Sequence, residues 1–159
     1  NQADKLLPGD SALALSAVFD HGLLRLLLWQ KKAAPKDDAH YRGAVQAFNT
    51  FVERKGSNTQ WALYHLACLE ATRADDVSLP PSERNMLLAK AREQLAAAVK
   101  QLASLRSDKA PIQREMMRKL LQMPDKWSRN PGDPVACPSL VKDWNDTQGG
   151  VESLVAQLG

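Results

Sequence analysis

Apolar residues in this chain recur at helical spacing and are cut at intervals by strong breakers. The clearest run is Leu88, Ala91, Leu95, Ala98, Leu102 and Leu105, which step by three and four residues. Such steps place one apolar stripe along one side of a helix and leave Lys90, Glu93, Lys100, Gln101 and Ser104 on other sides. The pattern predicts a long helix from Pro81 or Ser82 to about Ser107. Upstream, Asp10 or Ser11 is a candidate N-cap for a first helix reaching about Lys32, which Pro35 separates from the next. Asp37 or Asp38 is placed to cap a second, with Tyr41, Ala44, Val45, Phe48, Phe51 and Val52 on one face and Gly56 as its stop. Ser57, Asn58 and Thr59 are candidate caps for a third, carrying Trp61, Leu63, Leu66, Ala67 and Glu70. Asp108 is placed to cap a fifth, with Pro111 in its first turn and Ile112, Met116, Leu120 and Met123 facing inward until Pro124.

Beyond Pro124 the character changes. Asn130 to Pro138 holds three prolines and a glycine and reads as a surface loop. Short helices are expected over Pro138 to Trp144 and Val151 to Leu158, parted by Gln148 to Gly150. The fold class is therefore all-α: an antiparallel helical bundle of about five main helices plus a short C-terminal helical segment. Residues 1–129 form the bundle, and residues 130–159 pack back on it within a single domain. Length and composition agree, since 159 residues suit one core and 44% hydrophobic with 25% charged is ordinary for a globular chain.

Residues 38–105 resemble tetratricopeptide-type helical hairpins. Asp38, Tyr41, Ala44 and Phe48 match the turn residue, aromatic, alanine and aromatic of a repeat's second helix, and Leu63, Leu66 and Ala67 match the next repeat. Phe51 stands where the family prefers alanine, Gly56 replaces the closing proline, and Asp75 to Pro81 lengthens the following loop. The resemblance implies stacked hairpins with a concave face that binds a peptide or protein segment.

Charge is unevenly spread. Residues 1–81 carry nine Lys/Arg and nine Asp/Glu, residues 82–129 carry eleven and five, and residues 130–159 carry one and four. The basic residues Arg106, Lys109, Arg114, Arg118, Lys119, Lys126 and Arg129 cluster around Trp127. With one aromatic and no reading motif, this strip does not favour nucleic acid; a basic nucleic-acid binder is kept only as an alternative. No nucleophile elbow, phosphate-cradling glycine loop or zinc-protease motif is present, so no cofactor, metal or catalytic residue is expected. His65 and Cys68 lie three apart, and with Cys137 they would give three metal ligands, where zinc wants four or three plus water; a small hydrolase with a carboxylate or His/Cys site is kept as an alternative. The blander reading is a rim histidine beside a buried cysteine.

Cys68 and Cys137 are a disulfide candidate. Closing the loop between them is worth on the order of 4 kcal/mol in the chain-entropy model, and free thiols are the alternative. A start at Asn1 suits a leader removed on export or a trimmed chain. Leu13 to Trp29 is interrupted by Asp20, His21 and Arg25, so a buried core helix is expected there rather than a membrane span. The expectation for function is a non-enzymatic protein-interaction module, an accessory or adaptor of a bacterial cell-envelope assembly, periplasmic or otherwise exported, with the cytoplasm as alternative. Its partner-binding candidates are Arg25, Tyr41, Trp61 and His65 in a groove, with Arg114, Arg118, Lys119 and Trp127 on a second, basic face.

Overall fold

A computed structural model describes residues 12–31 and 39–159. Among these residues the chain forms seven α-helices, one 3-10 turn and no strand. The helices are α1 (Ala12–Lys31), α2 (Ala39–Lys55), α3 (Gln60–Arg73), α4 (Pro81–Ser104), α5 (Ala110–Gln122), α6 (Pro138–Gln148) and α7 (Glu152–Leu158); the 3-10 turn spans Pro124–Lys126. The caps expected at Asp10, Ser11, Asp37 and Asp38, and the break at Pro35, lie outside the described residues.

Side-chain contacts fix the direction of each neighbour. Gly22 in the middle of α1 lies under the Phe48 ring late in α2, while Arg25 near the end of α1 meets His40 at the start of α2. These two helices therefore run antiparallel. Arg73 at the end of α3 sits 5.0 Å over the Tyr41 ring, and His65 in its middle stacks on Phe48, so α2 and α3 are antiparallel too. Thr59, just before α3, bonds Gln101 late in α4, and Glu70 meets Lys90 early in α4. Two antiparallel hairpins, α1–α2 and α3–α4, are thus stacked through α2 and α3.

Helix α3 is the centre of the molecule. Ten of its fourteen residues are buried. Ala62, Leu66 and Leu69 face the α1–α2 layer, where they meet Leu26, Phe48 and Phe51. Tyr64, Ala67, Cys68 and Ala71 face the other way, into a second core built with α4, α5, α6 and α7. A helix buried on two sides needs small residues for close approach, and three alanines supply them.

The C-terminal helices complete that second core through Leu140, Val141, Trp144, Leu154 and Leu158. Gly149 ends α6 at a φ of 84°, a left-handed turn that favours glycine. The strap before α6 is tied down at several points: Tyr64 Oη donates to Val135 O (2.8 Å), and Trp127 Nε1 donates to Pro134 O (2.9 Å).

Several expectations are corrected. In α5 the inward residues are Ala110, Met117, Leu120 and Leu121, while Ile112 and Met123 are exposed. The four chosen from the sequence follow one drift around the helix, and the corner after α4 turns α5 onto a neighbouring face. Thr59 spends its hydroxyl on Gln101 rather than on capping α3, and Lys109 rather than Asp108 precedes α5. Nor is α1 a core helix throughout. It is long and apolar enough to cross a membrane by length and composition, at a mean hydropathy of 1.4, yet only 28% of that window is buried. Its inner side packs on α2, and its outer side carries leucines.

Candidate functional site

An open concavity lies where the start of α1, the end of α2 and the start of α3 meet the corner between α4 and α5. It encloses about 840 Å³. Its floor is apolar: Leu15 and Phe19 come from α1, Phe51 from α2, and Trp61 from the first turn of α3. Phe19 is held edge-on to Phe51 at 5.3 Å and to Phe48 at 5.4 Å, so the floor is one continuous aromatic layer with the core beneath it.

One wall is polar and pre-arranged. Gln113 Oε1 accepts from Gln60 Nε2 and from Trp61 Nε1, both at 3.0 Å. This fixes the Trp61 ring and leaves Gln60 Oε1, on a side chain only 4% exposed, with no hydrogen-bond partner. A buried amide oxygen left unpaired costs the fold free energy. The rim carries Arg54 and Lys55, with Lys55 Nζ 5.1 Å over the Phe51 ring, and among the described residues no carboxylate lines the concavity. The site is therefore cationic at its edge and apolar at its base.

The candidates named from sequence are distributed otherwise than expected. Trp61 is in the groove. His65, one turn on, is 1% exposed and not a groove residue. It stacks on Phe48 at 5.2 Å, and its Nε2 accepts from the Val135 amide (3.4 Å). Burial depresses its pKa to about 3; the nearby Trp61 carbonyl opposes the shift, and the positive charge of Arg129 adds to it. Arg25 and Tyr41 sit at the opposite end of the α1–α2 hairpin. Arg25 bonds His40 Nδ1 at 3.0 Å, and Tyr41 packs on Trp29 at 5.2 Å.

The basic strip does not form one face. Arg114 donates to the carbonyls of Leu102 and Leu105, closing the C-terminal end of α4. Arg118 reaches Glu115 and the carbonyls of Leu158 and Gly159. Those two guanidiniums hold backbone at the α4–α5–α7 corner. Lys119 and Trp127 line a separate shallow cleft with Ile112 and Met116. The sequence places all four in one stretch; the rotation of α5 and the turn after it put them on two sides.

Cys68 and Cys137 are both free and both buried, so the expected disulfide is absent. The strap does bring them together: Cys137 Sγ lies 3.6 Å from the Cys68 carbonyl and 3.6 Å from Thr72 Oγ1. Burial raises the Cys68 pKa, as it does that of Tyr64 beside it. A thiol sealed from water and held protonated is a poor nucleophile. Among the described residues no three His, Cys, Asp or Glu side chains cluster as metal ligands would.

Gln60, Gln113 and Phe19 were missed by the sequence reading. Phe19 belongs to the apolar run of the first helix, but nothing in the linear pattern shows which of its leucines and aromatics border open space. The two glutamines come from segments over fifty residues apart and acquire meaning only on meeting. No family model, curated protein or solved structure matches this chain.

Proposed function

We propose that this chain is a non-enzymatic docking module whose groove takes an amphipathic, acidic segment of another protein. The observation that carries the reading is the pairing of an aromatic floor with a cationic rim and, among the described residues, no lining carboxylate. Apolar anchors of a peptide would cover Phe19, Phe51 and Trp61, which are rigid and already ordered. Acidic side chains would meet Lys55 at the edge. The stacked antiparallel hairpins support the tetratricopeptide-like reading of this surface, because they arrange helix ends around a concave site. The cell-envelope setting expected from the sequence leaned partly on a disulfide, and with both cysteines free it forms no part of the proposal.

The test uses two synthetic amphipathic peptides of identical apolar spacing, one flanked by glutamates and one by lysines. Backbone NMR of the whole chain should show the acidic peptide shifting the Gln60, Trp61 and Lys55 resonances, with the basic peptide far weaker. Lys55→Glu should invert that preference while leaving the fold unchanged. Equal binding of both peptides, or shifts confined to other surfaces, would sink the assignment.

A further inference from the structure

The outer face of α1 is apolar, exposed and self-complementary, and we infer that it pairs with the same face of a second copy of this chain, antiparallel, about a two-fold axis passing between Asp20 and His21. Leu13, Leu24 and Leu28 are 67%, 55% and 38% exposed, among the most exposed large apolar side chains of the molecule. Ala17, Asp20 and His21 are exposed as well. At one hundred degrees per residue these six positions fall within an arc of about 100°, a single seam along the helix. The buried side of α1, formed by Leu15, Gly22, Leu23, Leu26 and Trp29, points the other way. The seam is also distinct from the flank that Ser16 and Phe19 turn to the groove.

The order of residues along the seam selects the partner. Read from either end, it runs leucine, small or leucine, charged pair, leucine or small, leucine. Turning a second α1 about the axis sets Leu13 against the partner's Leu28 and Ala17 against the partner's Leu24, so each small residue receives a large one. It also sets Asp20 against the partner's His21 at the centre, twice by symmetry. Neither the Asp20 nor the His21 side chain has a hydrogen bond or ion pair among the described residues of its own chain. A two-fold interface requires a patch complementary to itself, and this sequence order meets that requirement in shape and in charge. An arbitrary partner would have no reason to find the polar pair at the midpoint. A lipid surface would leave Asp20 and His21 at the centre of the buried stripe, where they are least tolerated.

Sedimentation of the whole chain over a concentration series tests the pairing. A monomer–dimer equilibrium is expected, weakened at least about tenfold by Leu24→Glu, with circular dichroism unchanged because the position is on the surface. Asp20→Lys should weaken it, and adding His21→Glu should restore it. Register is read by cross-linking: a mixture of Ala17→Cys and Leu24→Cys chains should link to each other faster than either links to itself, while the buried native thiols stay silent. A monomer at every concentration overturns the inference. So does preferential self-linking of Leu24→Cys, which would mean a parallel pair, or a dimer indifferent to Asp20→Lys. Co-sedimentation of a monomer with phosphatidylcholine vesicles would reassign the face to lipid.

Discussion

Protonation of His65 should make this protein acid-sensitive well above the range where carboxylates titrate. In the fold its imidazole is neutral down to about pH 3, because the ring is enclosed by Phe19, Phe48 and Tyr64 and its Nε2 accepts the Val135 amide. In the unfolded chain it takes up a proton near the ordinary value of 6.5. A depressed histidine pKa means the unfolded state binds more protons as pH falls, so stability is complete above 6.5 and is lost progressively between 6.5 and 3. Between about pH 7.5 and about pH 5 the loss comes to ~2 kcal/mol, approaching ~5 kcal/mol at the acid end. The loss to pH 5 is already a sizeable share of the 5–15 kcal/mol typical of a domain, and the loss at the acid end rivals the lower bound. Urea unfolding at pH steps across this window would measure it, with His65→Phe as the control that keeps the aromatic stack and removes the titration. Wild type should lose about 2 kcal/mol more than the variant over the window. Parallel pH dependence in the two proteins, or an imidazole NMR titration near 6.5 in the folded state, would refute the argument.

Other consequences are open to measurement. Glu70 is buried against Lys90, and desolvation raises its pKa despite the ion pair, with Oε2 unpartnered. The penalty for its ionised form therefore sets in as pH rises past the usual glutamate range and is complete above the raised value, so Glu70→Gln should melt higher at neutral pH, and the gain should shrink as pH falls towards the usual glutamate range. Gln113→Ala should cost about 1–3 kcal/mol in chemical denaturation, because it strands the Gln60 amide and the Trp61 indole N–H at once; a loss within error would mean water replaces the acceptor. Cys68 and Cys137 should be inert to an aromatic disulfide reagent in the native protein and react as two thiols after unfolding; prompt native reaction would mean that the strap opens readily.

Amphipathic helices were the legible part of this chain, and α4 shows why. One side of it meets α3 and α5–α7 while the other meets water, so burial writes a clean three-and-four repeat into the sequence. Helix α3 defeated that reading at His65, which reads from the sequence as a rim residue and is 1% exposed. A helix enclosed on two sides has no outside to mark, and its polar atoms are satisfied or stranded by segments far away, as Val135 and Lys90 show. The same limit governed the site. Trp61 could be named, but its partner Gln113 lies on α5, and only the corner after α4 brings the two within 3.0 Å.

Local chain chemistry by itself settled the helical class and the apolar stripe of α4, because backbone propensity and side-chain period depend on neighbours three or four positions away. Which stripe is covered, and by what, was decided by the stacking of the hairpins. That stacking buried His65, parted the arginines of α5 from Lys119, set two cysteines face to face without joining them, and left the leucines of α1 looking outward. These outcomes depend on how rigid helices rotate and tilt when packed together, and a linear pattern carries the period of a helix but not its final rotation against its neighbours.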